Sequence, residues 1–373
     1  MRSRLRGRPG PPGGVEVDAL ADVLRLHRIG PSLDHLLRTA PDAGAVAHLR
    51  AATRPATLAQ AARQLPVQLD LRTVARALDG LPWAVLKGPA VAATVHGGAP
   101  REFHDLDVLV SPAAFGDALR ALEAVGARAM DPDWAGIRAA RAGEIAVALP
   151  HGTFLDLHWH LVNRPARRQR FTLEVDTLLD RARQVELLGT RVPTLDPVDQ
   201  LHHLALHACL SGAWRLLWSY DLRLAAGLTD DAGWSELVER TRSAATSLPV
   251  AMTLARARQT LDAPVPGPVL RSLAGPSPWL AAQTVVTATR PPERLAGARR
   301  NGAILFTSTG RTTAASAAEF ARASLARGSR RPAAAAPDPT TGDDRAGYLD
   351  YVADQTGAAG AAGPAGRVQA AAE

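Results

Sequence analysis

Between residues 15 and 78 the apolar side chains recur at helical spacing. Leu20, Val23, Leu24 and Leu26 form one stripe, and Leu33, Leu36 and Leu37 form the next. A period near 3.6 predicts helix, here in several short pieces, with Ser32 as the N-cap of the second. After residue 79 the period changes. Trp83-Ala84-Val85-Leu86 is a continuous apolar run of strand length. Pro89 suits the first turn of a helix, and Gly97-Gly98 ends it. Leu106–Val110 reads as a second strand. Ser111 then caps, and Pro112 opens, a helix that runs to about Val125 and stops at Gly126. Glu144–Leu149 and Thr153–Trp159 predict two strands joined by a hairpin-like turn at Pro150-His151-Gly152. Val185–Leu188 and Arg191–Leu195 form a shorter pair around Gly189. Asp196 is a helix N-cap before Pro197, and helices are predicted over 197–210, 214–227, 232–245 and 248–261. Several prolines interrupt the chain between Pro264 and Pro292.

This succession predicts an α+β fold with a small mixed sheet over residues 80–195. Helical regions at 15–79 and 196–300 flank it, and 301–373 is partly helical before becoming low in complexity. Residues 1–14, rich in Arg, Gly and Pro, read as disordered, as does the Ala/Pro/Gly/Asp-rich stretch from about Gly328. Gly347–Tyr351 interrupts that stretch but is too short to fold alone. Apolar residues make up 46% of the chain, enough for a core, although much of this is Ala.

The net charge of +7 would ordinarily raise nucleic-acid binding, but the Arg residues are scattered and many fall in the tails. They read as a solvated surface. The single cysteine, Cys209, excludes an intramolecular disulfide and a thiolate metal cluster, and its apolar surroundings make it a core residue. The N-terminus has no secretory h-region, and no apolar run approaches the roughly 20 residues of a membrane helix. A soluble cytoplasmic protein is expected.

Lys and Arg together number 43, and Lys87 is the only lysine among them. A chain that excludes Lys so strongly keeps this one at the end of the first strand, before Gly88-Pro89. Eighteen residues later comes Asp105-Leu106-Asp107. Carboxylates at i and i+2 on a strand share a face, so Asp105 and Asp107 can converge on a hard cation while Leu106 turns into the core. Oxygen ligands favour Mg²⁺, which keeps water and substrate phosphate in its shell. Leu155-Asp156-Leu157 repeats the form on a later strand. If the two strands are neighbours, three carboxylates meet at one end of a sheet, a set suited to metal-assisted displacement at phosphorus.

The ordered set Leu86-Lys87-Gly88, Arg101, Asp105-Leu106-Asp107-Val108-Leu109-Val110 and Leu155-Asp156-Leu157-His158-Trp159 resembles the uncharacterised nucleotidyltransferase-like family of the DNA polymerase β superfamily. So do Leu201-His202-His203-Leu204-Ala205-Leu206-His207 and Leu217-Trp218-Ser219-Tyr220-Asp221-Leu222. The likeness covers about residues 80–225. It implies Mg²⁺ held by Asp105, Asp107 and Asp156, with Asp156 also orienting the acceptor hydroxyl. It implies NTP phosphates contacted by Lys87, Gly88 and Arg101, helped by the N-terminus of the helix after Gly88. Two positions depart from the pattern: Pro89 replaces the superfamily's Ser after Gly, and His104 stands where Gly is usual.

Other candidates have two readings each. Arg101 could pair with Asp105 or Glu102 instead. His158 shares a strand face with Asp156, as a base or as a satisfied histidine beside Trp159, and His160 lies further along that face. His203 and His207 have the i, i+4 spacing of a zinc pair, but with no Glu between them and no third ligand they fit packing or cleft lining better. Asp221 could be a cleft residue but fits a helix–helix contact better. No G-x-G-x-x-G, P-loop or G-x-S-x-G pattern is present. The expected activity is Mg²⁺-dependent transfer of a nucleoside monophosphate from an NTP to a hydroxyl of a small molecule, protein or peptide, releasing pyrophosphate. The alternatives are a catalytically inactive nucleotide-binding module and, less favoured, a nucleic-acid end-modifying enzyme.

Overall fold

A computed structural model describes residues 17–40, 44–278, 280–282, 285 and 342–356. The expected disorder of residues 1–14 lies outside them, as do residues 301–341 and 357–373. The chain begins with α1 (Val17–His27), α2 (Gly30–Leu37) and α3 (Ala45–Ala77). Helix α2 starts two residues before Ser32, because Pro31 takes the first turn, where its missing N–H costs nothing. Ser32 is therefore not a cap, and its hydroxyl instead donates to the Pro100 carbonyl at 3.1 Å. Helix α3 runs unbroken for 33 residues through Pro55 and Pro66. Pro55 is exposed, so the carbonyl it leaves unbonded can face water.

The core follows as β1 (Trp83–Val85), α4 (Pro89–Thr94), β2 (Asp105–Val110), α5 (Phe115–Ala124), β3 (Arg128–Ala129), α6 (Trp134–Ala140), β4 (Glu144–Ala148) and β5 (Phe154–His158). Ser111 makes no capping bond, since a 3₁₀ turn over Pro112–Ala114 precedes α5. Short helices α7 (Pro165–Arg168) and α8 (Val175–Asp180) lead to β6 (Arg183–Leu187) and β7 (Thr190–Thr194). The helices after the sheet are α9 (Pro197–Leu210), α10 (Leu216–Gly227), α11 (Asp231–Ser243), α12 (Ser247–Leu261) and α13 (Gly267–Ala274). Asp196 does cap α9, accepting from the Val198 and Asp199 amides at 2.8 Å each.

The fold is α+β, with one mixed seven-stranded sheet in the order β3-β4-β5-β2-β1-β7-β6. β2 and β5 are parallel neighbours, and β4 and β5 form the antiparallel hairpin. Alternation divides the side chains cleanly. Leu106, Val108 and Val110 of β2, with Leu155 and Leu157 of β5, join one large core. Their neighbours Asp105, Asp107, Asp156 and His158 are thereby committed to the opposite face.

One helix lies where low complexity was expected. α14 (Gly342–Ala353) packs its fully buried Tyr348 and Val352 into the large core. The Tyr348 hydroxyl donates to the Ala142 carbonyl at 2.9 Å, and the Trp159 indole lies 3.0 Å from the same hydroxyl oxygen. The apolar patch at Gly347–Tyr351 folds on a surface made by the rest of the chain. Among the described residues no helix is long and apolar enough to cross a membrane.

Candidate active site

Register brings the acids together. β2 and β5 run parallel with Asp107 opposite Asp156 and Leu109 opposite His158. β4 runs antiparallel to β5 and sets Glu144 opposite His158 and small Ala146 opposite Asp156. Asp107, Asp156 and His158 each offer one ligand atom, and these atoms lie within 4.8 Å of one another. Asp105, two residues before Asp107 on the same face, lines the same cleft but lies outside that tight cluster.

Lys87 reaches this cluster through its backbone. The Leu86 amide donates to the Asp107 carbonyl at 2.9 Å, which seats the end of β1 beside β2. Gly88 adopts φ 60°, and a Cβ there would meet the Asp105 carbonyl at 3.0 Å, so the turn needs glycine. The Lys87 ammonium then lies 2.7 Å from Asp107 Oδ1, with His158 Nε2 3.2 Å from the same oxygen. His158 Nδ1 lies 2.9 Å from Glu144 Oε2, an ionic contact rather than an aligned hydrogen bond.

The charges follow from these contacts. Burial pushes the Asp107 carboxyl up, but Lys87 and His158 outweigh it and hold the group well below the usual carboxylate range. Burial pulls His158 down, yet its contacts with Asp107 and Glu144 prevail and raise it to about 9. Burial, with Asp107, Glu144 and Asp105 nearby, lifts Asp156 to about 6 against the opposing effect of His158. Neither the Asp105 nor the Asp156 side-chain carboxylate has a hydrogen-bond or ion-pair partner among the described residues. The floor therefore holds four carboxylates against two cations.

Arg101 belongs to a different cluster. Its Nε and Nη2 donate to the two Asp221 oxygens at 2.9 and 2.7 Å, and Nη1 reaches the Glu102 carbonyl at 3.3 Å. His96 Nε2 lies 2.7 Å from Asp221 Oδ1. This ties the end of α4 to α10. Sequence reasoning gave Asp221 the structural role but did not pair it with Arg101, because 120 residues separate them. Glu144 was also missed as a site residue. Its signal was alternation along β4, which puts it on the face opposite Ile145 and Val147.

The cleft above the floor has a volume of about 770 Å³. It is also lined by His203 and His207 of α9, by Trp214 and Arg215 before α10, and by Trp218 within it. Arg28, Arg164 and Arg167 line it too. His203 and His207 are held well below their ordinary value, first by burial and then by Lys87. They carry no bound-cation geometry with a third ligand among the described residues, in keeping with a lining role.

A mixed sheet presenting carboxylates from parallel neighbouring strands into a cleft is the arrangement of a nucleotidyltransferase. The chain belongs to the family described as uncharacterised nucleotidyltransferase, whose model matches residues 13–262. Comparison with curated protein sequences gives no match. Among solved structures, the solution structure of the antibiotic-resistance factor ANT(2'')-Ia is 15% identical. The match covers 49% of this chain and 93% of that one, with a TM-score of 0.33, too low to add to the family assignment.

Proposed function

We propose that the protein transfers a nucleoside monophosphate from an NTP to a hydroxyl acceptor, with Asp105, Asp107 and Asp156 holding Mg²⁺. The observation that carries this is the Asp107–Asp156 register on parallel strands, which gathers acids beside an open cleft. The donor set fits a hard cation. Asp107 spends only Oδ1 on Lys87 and His158, and the Asp156 carboxylate has no hydrogen-bond or ion-pair partner among the described residues. His158 is held protonated between two acids, so the carboxylates, not the imidazole, suit the ion. A bound divalent cation supplies Lewis-acid charge at the reacting phosphoryl group and the leaving oxygen.

The chain's own residues account for the rest. Asp156 orients the acceptor hydroxyl and takes its proton, a role its raised value suits. The acceptor oxygen forms a bond to the α-phosphorus as the bond from that phosphorus to the bridging oxygen breaks. Pyrophosphate departs with the electron pair. Lys87 and His158 keep Asp107 ionised and fixed in place.

The test incubates the full chain with Mg²⁺ and each α-labelled NTP, with cell extract as the acceptor source. Label transfer is expected, and Asp105→Asn and Asp156→Asn should each lower it by at least about a hundredfold. Transfer by these variants at the wild-type rate would remove the assigned site. Nucleotide binding with no transfer by the wild type would favour the inactive module.

A further inference from the structure

The cations first expected to hold the phosphates are already engaged. Lys87 sits 2.7 Å from Asp107, and three nitrogens of Arg101 are occupied by Asp221 and the Glu102 carbonyl. Both stand beside a surplus of carboxylates that repels a polyanion. Four further arginines, Arg28, Arg164, Arg167 and Arg215, line the same cleft and make an arginine wall. We propose that this arginine wall, not Lys87, Gly88 and Arg101, binds the polyphosphate chain of the nucleotide. The proposal rests on the nucleotidyl-transfer reading and assigns the donor's tail a place in the cleft that reading uses.

Two features make the wall a built site. The Arg215 guanidinium lies 4.7 Å from the Trp214 ring centre and 5.1 Å from that of Trp218, so its plane is braced by two indoles. Arg167 is anchored through Nη1 to the Leu210 carbonyl at 3.1 Å. A guanidinium fixed before binding loses little entropy on meeting a phosphate, and its fork matches phosphate oxygens in pairs. His203 adds a third observation. It is buried, lines the same cleft, and its Nε2 has no hydrogen-bond partner among the described residues. Buried polar atoms are rarely left so, and a phosphate oxygen is a fitting partner. A cleft lined by both acids and arginines divides the nucleotide between them: the acids take a cation and the reacting phosphorus, the arginines the anionic tail.

The probe is inorganic tripolyphosphate, titrated calorimetrically into the full chain without added metal. Binding is expected. Arg164→Gln, at an exposed position where folding is not at stake, and Arg215→Gln should each weaken it by about tenfold or more. Asp105→Asn, which disables transfer on the reading above, should bind tripolyphosphate at least as well as the wild type, because it removes a repelling charge. No binding by the wild type, or equal binding by both arginine variants, overturns the wall. A wall that binds in a protein that never transfers label sinks the enzymatic reading and leaves this one standing.

Discussion

Asp107 and Asp221 are two buried aspartates with the same kind of company. Each touches one long cation and one histidine: Lys87 and His158 for the first, Arg101 and His96 for the second. Both are held charged below the ordinary carboxylate range, against burial, by those partners. The difference lies in what is left over. Asp221 uses both oxygens in a bidentate pair and is sealed from solvent. Asp107 spends one oxygen on both partners and has Asp105, Asp156 and Glu144 lining the same cleft. Charge-paired burial is thus no mark of function by itself. A closed pair fastens helices together, whereas an open one with surplus acid is prepared for a further cation.

Replacing Asp107 tests both halves of the contrast at once. Asp107→Asn removes a proposed metal ligand and strands the Lys87 ammonium. Transfer should fall by about a thousandfold, and stability by several kcal/mol, since breaking a buried pair costs about 3–5 kcal/mol. Single-turnover label transfer and urea unfolding would measure the two. Loss of neither would mean that Asp107 serves no more than a surface acid does.

Asp221→Asn should separate them. It leaves Arg101 buried without its anion, at a cost of about 3–5 kcal/mol. Transfer per folded molecule should change far less than in the Asp107 variant. Denaturant midpoints combined with activity at low temperature would show this. A variant that stays stable but loses transfer would move Asp221 and Arg101 into the catalytic machinery.

The sequence carried the floor better than the wall, for a physical reason. Asp105, Asp107 and Asp156 sit in strands whose alternation is local, so two-residue spacing fixed their face before any tertiary contact was known. Parallel pairing of β2 with β5 then had only to set the register. Lys87 was visible because it is the lone lysine, but its partner was not: pairing with Asp107 depends on how β1 seats against β2. Arg101 and Asp221 meet across 120 residues. The wall collects Arg28, Arg164, Arg167 and Arg215 from separate helices and loops of an Arg-rich chain, where no spacing distinguishes them from solvated arginines. α14 was hidden likewise, because Tyr348 and Val352 form a helical face only against a surface made by α5 and α6.

The finest probe of the open cluster is Asp156, because its proposed use and its cost to the fold have opposite signs. Its carboxyl is raised from 3.8 to about 6. Between those values the folded state holds a proton that the unfolded state has released. Stability must therefore fall as pH rises across that window, and above about 6 the folded protein carries an ionised acid among other acids. Asp156→Asn removes that charge. Without metal, its stability advantage over the wild type should be absent near pH 4, grow up to about pH 6 and then level off. The shift converts to on the order of 1–2 kcal/mol once its partial exposure is allowed for. Added Mg²⁺ should raise the wild-type melting temperature and leave the variant's nearly unchanged, since the ion and the substitution relieve the same repulsion. A variant less stable than the wild type at pH 8 in chelator would mean that Asp156 is paired like Asp221, and the distinction between an open and a closed aspartate would not hold here.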